Sequence, residues 1–244
     1  ISLPELTRRD WLISSLDEDK RREGVHAVKR SIDLAKKIGA RVIVVHPGTT
    51  TLDAGYEKRL RELYAGGRQE TAEFRALNRL MQEARAELAP AAVAAVKKSL
   101  IELLAYANGS GIRLGLENRY HYREIPTPDE MGEFLALAGA DRLGMILDVG
   151  HAYVMERLGF YPFSEWLERF STRIIGTHLH DVSGLTDHFT AGTAEIDLLP
   201  VGAALPSDAV RTLEYNEGNS PELLIASFNS LRDTGCIHIL KTEE

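Results

Sequence analysis

Five short apolar runs in this 244-residue chain each lead into a side chain that can hold a cation or move a proton. Val42-Ile43-Val44-Val45 leads into His46 and Leu114-Gly115-Leu116 into Glu117. Met145-Ile146-Leu147 leads into Asp148, Ile174-Ile175-Gly176-Thr177 into His178, and Val210-Arg211-Thr212-Leu213 into Glu214. Read as strands of an α/β fold, these runs place all five groups at strand C-termini. That rim is where such folds bind ligands, and in a (β/α)8 barrel the tips converge on one mouth. Turn and cap residues at such positions are ordinarily Asn, Gly, Ser or Asp. Capping accounts for one His or carboxylate there, but not for five in succession. Imidazole and carboxylate donors without a thiolate suit Mn2+, Mg2+, Co2+ or Zn2+.

The elements that would position these tips alternate as such a fold requires. A helix is predicted over 15–39, opened by a Ser15/Glu18 capping box and closed by Gly39. The four β-branched residues that follow predict a strand over 41–45 buried on both faces. Residues 68–89 predict one helix. Pro90 suits the first turn of a second, which ends at Asn108-Gly109. Strands over 112–116, 143–147, 174–177 and 210–213 alternate with helices near 128–138, 163–171 and 220–234, and a glycine-bearing loop spans 183–195. Neither a linker nor a low-complexity tract divides the sequence, which reads as one α/β domain over 1–244 with right-handed βαβ crossovers.

Composition narrows the function. The chain is 44% hydrophobic and 27% charged, with a formal charge of −7. The negative balance argues against a broad phosphate-binding surface for nucleic acid. Cys236 alone supports no disulfide framework and no cysteine-based zinc finger. No apolar run approaches the ~20 residues of a membrane span. With no basic-then-apolar leader before the first charged segment, the expectation is a cytoplasmic protein.

The segments VVHPG, LENRY, DVGHA, THLHD, DHFTAGTAEID and LEYN, in this order and spacing, resemble the xylose-isomerase-like barrel superfamily. That group includes endonuclease IV, ketose 3-epimerases and inosose dehydratase. The resemblance runs from about residue 15 to the end. It implies a (β/α)8 barrel, with Glu117, Asp148, His178 and Glu214 as the metal set used by its epimerases. His151, from D-x-x-H, resembles a substrate contact of the epimerases and a further metal ligand of the nuclease. His46 and His188 resemble additional nuclease ligands. The nuclease pattern expects Asp two residues before the loop histidine, where Thr186 stands with Asp187 displaced beside His188. That departure counts against a trinuclear zinc site. With five strands against the eight of a closed barrel, the first strands are expected upstream of Ile1, in about 50–60 residues if a typical barrel has about 250. Residues 67–89 resemble an inserted helix, open to use as a lid or as a contact between copies of the chain.

Other residues have two readings. His180 shares a strand face with His178, as a metal or substrate candidate, a support for a metal ligand, or a structural histidine. Arg119 follows Glu117 and would grip an anionic or hydroxyl-rich substrate by its planar fork, or be a solvated charge. Glu195 reads as surface charge. Trp166 and the Tyr120/Tyr122 pair fit a sugar-stacking wall or the core. The function these features imply is a divalent-metal-dependent isomerase or epimerase of a small carbohydrate, working through an enediolate, with Glu117 and Glu214 exchanging protons. A phosphodiester hydrolase of the abasic-site endonuclease type, an inosose-type dehydratase and a non-catalytic sugar-binding barrel are the alternatives.

Overall fold

A computed structural model describes residues 3–238. The chain begins with α1 (Leu3–Arg8), α2 (Glu18–Ile38), β1 (Val42–Val45), β2 (Gly48–Thr49), α3 (Ala54–Ala65) and α4 (Ala72–Tyr106). It continues through β3 (Arg113–Glu117), β4 (Glu124–Ile125), α5 (Pro128–Leu135), β5 (Leu143–Asp148), α6 (Val149–Arg157) and α7 (Phe163–Phe170). β6 (Ile174–Leu179), β7 (Asp181–Ser183), β8 (Thr186–Phe189), α8 (Leu199–Ala204), β9 (Val210–Leu213) and α9 (Pro221–Asp233) complete it.

β1, β3, β5, β6 and β9 form one five-stranded sheet in that order, every neighbouring pair parallel. Side chains alternate across a strand, so the sheet has two different faces. Leu114, Leu116, Met145, Leu147 and Leu179 belong to the buried core, which also takes Val96, Leu100 and Leu103 of α4. The opposite face carries Val44, Gly115, Ile146, Gly176 and Thr212, and the same alternation leads from these to His46, Glu117, Asp148, His178 and Glu214. Two glycines let this face close around Ile146: a Cβ at Gly115 would lie 2.6 Å from Ile146 Cδ1, and one at Gly176 2.8 Å from it.

Several expectations are corrected. β1 is an edge strand and Val44 is 44% exposed, so the run of β-branched residues is not buried on both faces. The cap of α2 is Asp17, whose Oδ1 accepts the N–H groups of Asp19 and Lys20. Ser15 instead donates to Asp10, and Glu18 binds Arg21. Helices 68–89 and 90–108 are a single 35-residue helix with Pro90 inside it. Pro90 and Ala86 lie on its exposed side, where water can serve the Ala86 carbonyl that loses its donor, while Met81, Ala89, Val93, Val96 and Leu100 keep the inner face continuous. The loop over 183–195 contains most of a hairpin, β7 with β8, and neither α3 nor α6 was anticipated. Among the described residues no helix is long and apolar enough to cross a membrane.

Candidate metal centre

The tips of β3, β5 and β6 lie side by side because the sheet register pairs Glu117 with Ile146 and Asp148 with His178. One donor atom each from Glu117, Asp148 and His178 lies within 4.8 Å of the others. His178 Nδ1 is 3.4 Å from Glu117 Oε1, 3.5 Å from Asp148 Oδ2 and 2.9 Å from Glu214 Oε2. His46 Nε2 and Arg119 Nη1 approach Glu117 Oε2 at 2.5 and 2.9 Å. Even so, Asp148 Oδ2 and His178 Nδ1 are buried without a well-aligned hydrogen bond, while Glu117 Oε2 is held by its two ion pairs. An unsatisfied buried polar atom costs about 1–3 kcal/mol. Asp148 Oδ2 and His178 Nδ1 stand 3.5 Å apart with Glu117 Oε1 3.4 Å from the same nitrogen, and two carboxylates and an imidazole so placed fit the oxygen and nitrogen donor set of a divalent cation.

The other half of the Asp148 carboxylate is tied down. Asp148 Oδ1 accepts the His151 N–H at 2.8 Å, capping α6, and lies 2.9 Å from His180 Nε2, which leaves Oδ2 to face the cluster. The Asn118 side chain bridges two strand ends, accepting the Asp148 N–H and donating to the Asp148 carbonyl, both at 2.8 Å. Burial would raise the pKa of Asp148, but the imidazoles of His151, His180 and His178 hold it well below the usual range. Glu117, also against burial, is lowered to about 2 by His178, His46 and Arg119. Burial would lower His178, yet Asp148, Glu117 and Glu214 push it up to about 12. This site therefore demands positive charge, and without a metal the imidazoles supply it as protons.

A second group stands beside the first: His151 in the opening turn of α6, with Asp187 and His188 of β8. His151 Nδ1 is 3.0 Å from the Asn118 carbonyl, so Nδ1 donates and Nε2 turns to Asp187 Oδ2 at 3.6 Å. His188 lies between two carboxylates, Nδ1 at 3.1 Å from Asp187 Oδ1 and Nε2 at 3.5 Å from Glu214 Oε1. Those two raise its pKa to about 10. Glu214, 44% exposed at its side chain, thus touches an imidazole of each group, and His178 and His188 together hold its carboxyl far below the ordinary range.

The hairpin that carries Asp187 and His188 is anchored from below. The Asp181 carboxylate accepts six backbone N–H groups, those of Val182, Glu195 and Ile196 on Oδ1 and of Gly192, Thr193 and Ala194 on Oδ2. Asp181 therefore organises the loop. Glu195, expected as surface charge, accepts the Gly184 N–H and pairs with Arg157. On the other flank, Arg85 of α4 forks onto Glu130 and binds the carbonyls of Tyr122 and Glu124, bracing the segment after β3.

The geometry brings Glu117, Asp148, His178 and Glu214 together, with His46 against Glu117 and His151 and His188 next to them. His180 is fully buried and touches Asp148, which excludes it as a substrate contact. Arg119 is paired with Glu117 rather than solvated. Trp166 is buried in the core, Tyr122 is stacked on Phe160, and only Tyr120 stands near the site, edge-on to His151. Asn118 and the donor role of Asp187 were missed. Asn118 lies between two motif residues and offers a strand-bridging amide, a signal available only once Asp148 is known to be its neighbour. Asp187 was read as a displaced motif residue, but β8 turns it inward.

The model of the family described as "Xylose isomerase-like TIM barrel" matches residues 4–234, and the chain belongs to that family. The uncharacterized protein MJ1311 of Methanocaldococcus jannaschii is 26% identical over 191 residues, covering 77% of this chain and 54% of its own length, so the chain spans about half of that relative. A D-psicose 3-epimerase from Clostridium cellulolyticum H10, solved with D-tagatose, superposes with a TM-score of 0.62 at 13% identity, over 93% of this chain and 74% of that one. The IOLI protein, solved with a binding zinc atom, gives 0.53 at 19% identity, over 90% and 69%. Both likenesses are of fold. The five parallel strands are part of such a barrel.

Proposed function

We propose that this chain is a divalent-metal-dependent isomerase or epimerase acting on a sugar, sugar phosphate or polyol. The observation that carries the reading is the meeting of Glu117, Asp148 and His178, with Glu117 Oε1 and Asp148 Oδ2 3.4 and 3.5 Å from His178 Nδ1, beside the half-open Glu214. Glu117, Asp148, His178 and Glu214 would hold the cation, with His46 at the edge of the set. A cation bound there supplies Lewis-acid stabilisation of the negative charge that develops on substrate oxygens. The existence of a D-psicose 3-epimerase on the same fold supports the substrate class.

Proton movement falls to two carboxylates of unequal exposure. Glu214, open to the mouth, takes the proton from the substrate carbon, and Glu117, on the other side of His178, returns one. Against the effect of burial, Glu117 is lowered by His178, His46 and Arg119, and Glu214 by His178 and His188. A cation held by both carboxylates would lower them further, so each would act as a base only as the cation shares its charge with substrate oxygens. Arg119, paired with Glu117, and Tyr120, edge-on to His151, would be the neighbours of a hydroxyl-rich ligand bound at the cation.

The test is metal analysis of the purified protein, then a screen of ketoses for metal-dependent exchange of C–H protons with deuterated water. Glu214→Gln is expected to abolish exchange, by at least ~100-fold as for a lost general base, with the fold intact by circular dichroism. Exchange at the wild-type rate in that variant rejects the assignment. A second reading, a phosphodiester hydrolase of the abasic-site type, is favoured by the His151–Asp187–His188 group. Cleavage of an abasic-site phosphodiester by the metal-loaded chain supports it, and metal-dependent C–H exchange without such cleavage supports the isomerase.

A further inference from the structure

We infer that His180 is a positioning residue that fixes both donor groups at once, one with each ring nitrogen; the inference rests on the metal reading above. The ring is wholly buried between the two groups. Its Nδ1 accepts the backbone N–H of His188 at 3.0 Å, so Nδ1 carries no proton, and the hydrogen sits on Nε2, which donates to Asp148 Oδ1 at 2.9 Å. With Oδ1 occupied by this bond and by the His151 N–H, Asp148 has only Oδ2 left for the first group.

On the other side, the bond from His188 stabilises a backbone that a non-glycine residue seldom adopts. His188 has φ +62°, in the left-handed region, where a non-glycine residue pays a conformational penalty. Its imidazole is stacked on that of His180, with centroids 4.4 Å apart and planes 2° apart. The left-handed turn and the stacking aim His188 at Asp187 and Glu214. Room for this arrangement is made by Gly150, where a Cβ would lie 2.1 Å from His180 Cε1 and 2.6 Å from Nδ1. A histidine that merely filled space would need neither a fixed tautomer nor a glycine against its edge.

The two nitrogens can be separated by substitution. The amide of Gln reaches the Nε2 position, so His180→Gln keeps the donor to Asp148 and loses the acceptor for His188. Asn reaches only the Nδ1 position, so His180→Asn does the reverse. The full chain, stripped of metal, is titrated with Co2+ by calorimetry and visible absorption. His178→Ala and His188→Ala identify which signal belongs to which group. His180→Gln is expected to weaken the second group about 10–100-fold, the usual effect of losing a ligand-orienting partner, with the first group unchanged. His180→Asn is expected to weaken the first group by a similar factor and spare the second. Gly150→Ala, which leaves every donor in the sequence, is expected to weaken both.

Equal effects of Gln and Asn on the two groups, or no effect of either, overturn the inference while the metal reading stands. A wild-type chain that takes up no Co2+ overturns the metal reading and the coupling with it. Imidazole nitrogen NMR of the wild type needs no variant to fold: the expected result is an Nε2–H tautomer for His180, and an Nδ1–H tautomer overturns the inference.

Discussion

The two donor groups differ in what builds them. Glu117, Asp148 and His178 sit at the ends of three adjacent parallel strands, and sheet register alone brings them together. His151, Asp187 and His188 come from a helix and an antiparallel hairpin. They meet only because Asp181 gathers six N–H groups, Asn118 turns His151 and His188 takes a left-handed backbone. The first group is therefore a property of the sheet, and the second a property of loops held in place from outside. Changes to the sheet should affect both groups, whereas changes to the loop should reach only the second.

The largest expected effect follows from Asp148, where three duties coincide: a ligand oxygen, the cap of α6 and the acceptor for His180. Asp148→Ala is expected to abolish metal binding in the first group and to weaken the second through His180. Loss of the cap and of the partner for a buried donor together cost about 2–4 kcal/mol, measurable by urea denaturation. A variant as stable as the wild type would mean that the bonds to Oδ1 contribute little. Asp181→Asn comes next. It puts an amide NH2 against three backbone N–H groups, and removing such charged acceptors costs about 2–3 kcal/mol. Here Co2+ binding by the second group is expected to fall while that of the first persists. If both fall together, the groups do not differ in the way the fold implies.

How much of this was legible from sequence follows the same division. The strand tips could be found because a short apolar run, β-branched over 42–45, marks the end of a strand wherever the chain later places it. Val44, Gly115, Ile146 and Gly176 also show why the pattern suffices: small and branched residues alternate on the face that ends in the donors. Asn118 and Asp187 were missed because their roles depend on partners remote in sequence, Asp148 for one and the His151 turn for the other. Helix boundaries failed for a local reason. At Ser15 and Asp17 two capping residues compete, and the carboxylate of Asp17 reaches two N–H groups where Ser15 reaches none. At Pro90 local preference gave way to packing, since the inner face of α4 runs unbroken through Ala89 and Val93.

The smallest expected effect, and the one that separates the groups most finely, is their response to pH. In the metal-free protein His178 is raised from 6.5 to about 12 and His188 from 6.5 to about 10. A raised histidine stabilises the fold fully below pH 6.5, and that contribution is lost as pH climbs through the folded value. Both shares therefore decline from about pH 6.5, that of His188 being gone by about pH 10 and that of His178 by about pH 12. Glu117, lowered from 4.5 to about 2, works in the opposite direction: its contribution is complete above about pH 4.5 and lost as pH falls toward 2. Thermal melts of the metal-free chain should thus be level between about pH 4.5 and 6.5 and fall on either side. Because a cation must displace those protons, its affinity rises with pH in both groups. The rise should continue to higher pH in the first, where three carboxylates hold the His178 proton, than in the second, where two hold that of His188. Co2+ titrations at stepped pH, with proton release measured by calorimetry in buffers of different ionisation enthalpy, would show the order. If His188 retains its proton to higher pH than His178, the first group is not the more strongly anionic of the two, and the contrast between sheet and loop would have to be drawn from geometry alone.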